Sequence, residues 1–123
     1  MKSFIITTIT ILTITIMFGL FKNLFTQGVN NEELTKIISD KAYLVDVRTP
    51  QEFASGSVKG AVNIPLDVIQ NKLTMFKGKS AIVVFCRSGN RSGQAQTILM
   101  QNGIENVHNG GTWQNVNELL NAK

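Results

Sequence analysis

The sequence predicts a small α/β domain: a parallel sheet with helices on both faces, preceded by one apolar N-terminal helix. Three observations predict it. Short β-branched runs alternate with segments of helical spacing from residue 31 onward. The run Ala81-Ile82-Val83-Val84-Phe85 is continuously apolar, as expected of a central parallel strand covered on both sides. The only long uncharged stretch, residues 3–21, lies outside that alternation.

Each element has its own signal. Met1-Lys2 precedes Ser3 to Phe21, which carries six Ile, with Leu12, Met17, Phe18, Leu20 and Phe21, diluted by Thr7, Thr8, Thr10, Thr13 and Thr15. As a helix this run spans roughly 28 Å, close to the thickness of a bilayer core. Residues 1–25 therefore read as a signal peptide or membrane anchor. The length, and the lack of an Ala-x-Ala site beyond it, favour an uncleaved anchor. A leading apolar segment of this kind places the domain in the cell envelope, outside the cytoplasm.

Asn31 is expected to cap a helix that begins Glu32-Glu33-Leu34. Ala42 to Val47 reads as a strand. Thr49-Pro50-Gln51-Glu52 has the residues of a capping box with proline at the first helical position, and Gly56 ends that turn. Ala61 to Ile64 is a second short strand, stopped by Pro65. Leu66, Ile69, Leu73 and Phe76 have helical spacing. Ala81 to Phe85 follows as the central strand. Ser92 is expected to cap a helix that runs to Gln101, with Gly103 at its end. Ile104 to His108 is expected as the last strand, and Trp113 to Leu120 as the last helix.

Composition excludes several classes of function. The chain of 123 residues has one Cys and one His, so it forms no intramolecular disulfide and no Cys/His zinc site. No carboxylate grouping suggests another metal site or paired acid–base chemistry. The net charge of +4 rests on only 16% charged residues, which argues against nucleic-acid binding.

The chemistry is expected where the central strand ends, in Cys86-Arg87-Ser88-Gly89-Asn90-Arg91-Ser92. Ligands in open α/β sheets bind beyond the carboxyl ends of strands. A helix N-terminus follows, and its free N–H groups favour an anion. Gly89 and Asn90 tolerate left-handed φ, which lets a short loop curl its amides inward. A thiol in that setting has a lowered pKa. Asp46 and Arg48, at the end of the preceding strand, are placed to form an ion pair that supports the loop, together with Ser92. His108 and Trp113 read first as surface and packing residues.

Four ordered segments resemble the signatures of the rhodanese homology family. They are Leu44-Val45-Asp46-Val47-Arg48-Thr49-Pro50-Gln51-Glu52-Phe53, Gly56 to Leu66, the Cys86–Ser92 loop, and Gly110-Gly111-Thr112-Trp113. The resemblance spans residues 29–121. It departs from the family at Ser57, where His is common, and at Lys59, where Pro is usual. What it implies is a single-domain sulfurtransferase. Cys86 takes a sulfane sulfur from thiosulfate or a similar small anionic donor, and an external thiol, protein cysteine or cyanide removes it. Residues 87–91 are implied in substrate binding: Arg87 and Arg91 attract the donor, while the amides around Ser88, Gly89 and Asn90 stabilise the persulfide. No cofactor is implied. Two alternatives share the resemblance: a persulfide carrier without turnover, and a phosphatase or arsenate reductase of the same fold. The related phosphatases hold five residues between Cys and Arg, against four here, which makes this cradle small for a phosphoryl group.

Overall fold

The structure is a computed structural model and describes residues 30–122. The expected apolar helix within residues 1–25 and the membrane contact through residues 3–21 lie outside the described residues. Among residues 30–122, no helix is long and apolar enough to cross a membrane.

The elements are α1 (Asn31–Ser39), β1 (Tyr43–Asp46), α2 (Pro50–Ala54), β2 (Val62–Asn63), two 3-10 turns (Leu66–Asn71 and Leu73–Phe76), β3 (Ile82–Cys86), α3 (Asn90–Gln101), β4 (Val107–Thr112) and α4 (Trp113–Asn121). The four strands form one sheet in the order β2-β1-β3-β4, and every pair is parallel. All carboxyl ends of the strands therefore point to one end of the domain.

β3 is central and all five of its residues are buried. Alternate side chains leave opposite faces of a strand. Ile82, Val84 and Cys86 thus join Val45, Ile69, Phe76, Ala95 and Leu99 on one face. Val83 and Phe85 join Leu34, Ile38, Leu44 and Val116 on the other. Helices α1 and α4 cover that second face, and α3 with the 3-10 turns covers the first.

Several boundaries differ from the sequence expectation for physical reasons. Asn30, not Asn31, caps α1, accepting from the Glu33 N–H at 3.3 Å. Residues 66–76 form two 3-10 turns and not one helix. The pairs Leu66/Ile69 and Leu73/Phe76 are each three residues apart, and side chains at that spacing eclipse in a 3-10 turn. Both pairs thus pack against the first core. β4 begins later than expected and runs through Gly110-Gly111. A Cβ at Gly110 would lie 2.6 Å from Val116 Cγ2 and 2.8 Å from Val83 Cγ1. Only glycine lets α4 seat so close to the sheet. Gly110→Ala is expected to destabilise the domain by about 1–3 kcal/mol through overpacking, read as a lower urea midpoint.

Candidate active site

The capping box at α2 forms as its residues predict: Thr49 Oγ1 accepts from the Glu52 N–H at 3.2 Å, and Glu52 Oε1 accepts from the Thr49 N–H at 3.2 Å. This fixes Glu52 on the first turn of a helix beside the Cys86 loop. From there Glu52 reaches Arg91, 39 positions later in the chain, in a two-pronged ion pair of 2.7 and 2.9 Å. The Arg91 guanidinium holds the Glu52 carboxyl down at about 2, and Glu52 in turn raises Arg91. The structure thus places the Arg91 side chain against a carboxylate, and leaves Arg87 as the exposed cation of the loop.

Cys86 ends β3 with no exposed surface. Its Sγ accepts from the Gly89 N–H at 3.0 Å and lies 3.4 Å from Ser92 Oγ. Burial pushes the thiol pKa up. The Ser92 hydroxyl and the amides of Ser92, Ser88 and Gly89 outweigh that, and the net shift is below the ordinary thiol value. Gly89 has φ of +92°, a left-handed conformation that turns its amide onto the sulfur. Asn90 does not share that conformation; it opens α3.

Ser92 is not the cap of α3. Gly89 stands at that position without a side-chain cap, and Ser92 lies within the helix, fully buried. Its hydroxyl donates to Asn109 Oδ1 at 2.7 Å, an oxygen that also accepts from the Gly111 N–H at 2.9 Å. Asn109 Nδ2 donates to the Gly89 carbonyl at 3.1 Å. Asn109 therefore ties β4 to both ends of the loop turn. With one hydroxyl proton, Ser92 accepts from Cys86 as a thiol while donating to Asn109, or turns that proton to the thiolate.

Asp46 and Arg48 form a buried pair. Arg48 Nη2 lies 2.7 Å from Asp46 Oδ2, and Nε lies 3.0 Å from both carboxylate oxygens. The pair anchors a loop other than the Cys86 loop: Arg48 Nη2 donates to the Gly56 carbonyl and the Ser57 hydroxyl donates to Asp46 Oδ2, each at 2.7 Å. Ser57 thus has a structural use at the position where the sequence departs from its resemblance. Arg48 also stacks 5.3 Å from the centre of the Trp113 ring. Trp113 serves two ends, packing on the second core and walling a cleft of about 200 Å³ with Arg48, Glu52, Gly56, Arg87 and Gln114. His108 is partly exposed, 3.9 Å from Glu33.

Sequence reasoning missed two residues of this site. Asn109 carries no motif signal. Glu52 was legible as a capping residue, but its pairing with Arg91 is a tertiary contact. The ion pair predicts a pH effect. A carboxyl lowered from its ordinary value to about 2 adds stability that is present above pH 4.5 and lost as pH falls toward 2. Glu52→Gln is expected to flatten that part of the stability–pH curve, with an amplitude under about 1 kcal/mol because the pair is partly solvated. Thermal melts across pH 2–5 measure it. Among the described residues, no group of three His, Cys, Asp or Glu side chains could hold a metal ion.

A sulfur at a strand's carboxyl end, cradled by the amides of a following helix, defines a class of site, and comparison with known proteins places the chain within it. The family profile of the rhodanese-like domain matches residues 30–112. The chain belongs to the rhodanese-like domain family. It is 36% identical over 83 residues to a sulfurtransferase of Allochromatium vinosum, across 66% of this chain and 78% of that protein. It is 39% identical over 69 residues to the thiosulfate sulfurtransferase PspE of Escherichia coli, across 54% of this chain and 66% of that protein. A solved rhodanese from E. coli with anions superposes with a TM-score of 0.56 at 32% identity, covering 60% of this chain and 89% of the other. The fold is the rhodanese-like α/β fold, and these two relatives are sulfurtransferases.

Proposed function

We propose that the protein moves a sulfane sulfur from thiosulfate, or a similar anionic donor, to a thiol or cyanide through a persulfide on Cys86. The observation that carries this is the seat of Cys86 Sγ: an acceptor of the Gly89 N–H at 3.0 Å, at the start of a twelve-residue helix. Amides aimed at one sulfur stabilise both the thiolate and the anionic persulfide.

In the first half-reaction the Cys86 thiolate attacks the outer sulfur of thiosulfate. An S–S bond forms on Cys86, the S–S bond of thiosulfate breaks, and sulfite leaves with the electron pair. In the second, an acceptor thiolate or cyanide attacks the outer sulfur of the persulfide, and Cys86 leaves as thiolate. Cys86 is the only cysteine, so no thiol of the same chain resolves the persulfide. Arg87, exposed on the loop and lining the cleft, supplies the charge that attracts the donor. The thiosulfate sulfurtransferase among the relatives supports this donor. The reaction needs no cofactor.

Steady-state assays with thiosulfate and cyanide test the reading. Parallel double-reciprocal lines and one sulfite per thiocyanate are expected. Release of phosphate from an aryl phosphate with no sulfite from thiosulfate would overturn it. The first half-reaction should also slow as pH falls through the lowered pKa of Cys86. Its midpoint should lie below the ordinary thiol value, as read by single-turnover sulfite release.

The uncharged run of residues 3–21 supports a place in the cell envelope, with the domain held outside the cytoplasm by an N-terminal anchor. Retention of the full-length chain in carbonate-washed membranes is the expected result. A soluble chain that begins near residue 28 would show cleavage instead.

A further inference from the structure

We infer that Asn109 is a positioning residue for sulfur transfer: it sets whether the one Ser92 hydroxyl proton faces Asn109 itself or the sulfur of Cys86. This deepens the persulfide reading above and rests on it. Val84 pairs with Asn109 but Cys86 pairs with Thr112, so β4 carries one residue more than β3 over that stretch. Such a bulge re-aims a side chain. Asn109, opposite Val84, lies on the Cys86 face of the sheet. Its amide is oriented from both ends. The Gly111 N–H needs an oxygen, at 2.9 Å, and the Gly89 carbonyl takes a donor, at 3.1 Å. Oδ1 is therefore the atom 2.7 Å from Ser92 Oγ, and it can only accept. Ser92 is fully buried, and its hydroxyl has two partners, that oxygen and Cys86 Sγ at 3.4 Å.

One proton cannot serve both. While Cys86 is uncharged, as a thiol or as the inner sulfur of the persulfide, the shorter contact to Asn109 holds it. When the sulfur is anionic, before attack on the donor and again as the outer sulfur departs, the hydroxyl turns to it, because a charged acceptor makes the stronger bond. No proton leaves Ser92; the hydroxyl only rotates. The rotation has a small cost, because Oδ1 keeps the Gly111 N–H. Asn109 thus opposes the thiolate by one hydrogen bond and keeps Cys86 a stronger nucleophile than an unopposed Ser92 would. The charged groups nearby have other partners or lie in solvent. Arg91 of α3 pairs with Glu52 of α2, and Asp46 of β1 with Arg48. Arg87 on the loop, Asp67 and Lys72 at the 3-10 turns and Glu118 of α4 are exposed. His108 of β4 lies 3.9 Å from Glu33 of α1.

Thiolate absorbance of the full-length protein in detergent, with the Cys86→Ser protein as blank, titrates the one thiol. It is measured in Asn109→Ala, in Ser92→Ala and in the double variant. With Asn109 shortened, the midpoint should fall by about 0.5–1 pH unit, the worth of one hydrogen bond. In the Ser92→Ala background the same change should move it little. An equal shift in both backgrounds, or a rise, overturns the inference.

Rates give a second readout. Above both midpoints, Asn109→Ala should release sulfite about two- to threefold more slowly, and pass sulfur from the loaded persulfide to cyanide about two- to threefold faster. A lower thiol pKa makes a weaker nucleophile and a better leaving group. A merely loosened site slows both steps, and that result also overturns the inference. Asn109→Ala leaves the Gly111 N–H without its oxygen; should that variant not fold, Asn109→Asp keeps the acceptor. Its charge holds the Ser92 proton harder. The midpoint should therefore rise, and by more with Ser92 present than in the Ser92→Ala background; equal rises overturn the inference. A protein that titrates as expected but gains no mass from thiosulfate refutes the persulfide reading, while the hold of Asn109 on the Ser92 proton stands.

Discussion

Replacing Cys86 by Ser is expected to abolish sulfur transfer while leaving the domain folded. A serine oxygen fits the same seat and accepts the same Gly89 N–H, so the loop keeps its form. What it lacks is an ionised nucleophile. The amides of Ser88, Gly89 and Ser92 lower the thiol pKa, but a hydroxyl starts far too high for the same contacts to ionise it. Sulfite release from thiosulfate should fall by about a thousandfold or more, to background. The thermal midpoint should move by only a few degrees, since one small buried group replaces another. Sulfite release surviving at more than a few per cent would mean that a group other than Cys86 accepts the sulfur.

The second large effect is on stability. Arg48→Met removes the partner of a carboxylate that is 0% exposed. Asp46 would keep the Ser57 hydroxyl and the Arg48 backbone N–H, but no cation. Breaking a buried pair from one side costs about 3–5 kcal/mol, because a buried charge is left uncompensated. In a domain of this length that lowers Tm by more than about 12 °C. The Gly56 carbonyl also loses its donor, and the Trp113 face its cation. Asp46→Asn added to Arg48→Met should recover a good part of the loss, since the charge itself is then gone. A calorimetric scan of the two variants measures both steps. If Arg48→Met melts within a few degrees of the parent, the pair is not what holds the 46–57 region together.

The sequence carried the parts of this site that depend on local chemistry. The Thr49–Glu52 capping box is local, and it formed as read. So did the apolar run of β3, whose two faces feed two cores. The parallel sheet followed from the alternation of elements. The misplaced boundaries are those where tertiary contact overrides local preference. Ser92 is a good capping residue by type, yet Gly89 turns the chain, and the Ser92 hydroxyl is drawn to Asn109 on β4. The span 66–76 has helical spacing, but its two three-residue pairs favour the tighter turn. Gly110-Gly111 lies beyond the strand expected at residues 104–108, but the close seat of Val116 fits both glycines inside a strand. The Arg91–Glu52 pair joins residues 39 apart and could not be read from spacing. It gives Arg91 a partner within the protein and, among the described residues, leaves Arg87 as the exposed cation of the loop at the cleft.

The most direct measurement is the intact mass of the full-length protein after brief treatment with thiosulfate and removal of excess. A gain of about 32 Da, one sulfur atom, is predicted. It should map to Cys86, be absent in the Cys86→Ser protein, and vanish on addition of cyanide as thiocyanate appears. An unchanged mass while sulfite accumulates, or a gain that maps elsewhere in the chain, would contradict a persulfide on Cys86 as the carrier of the sulfur.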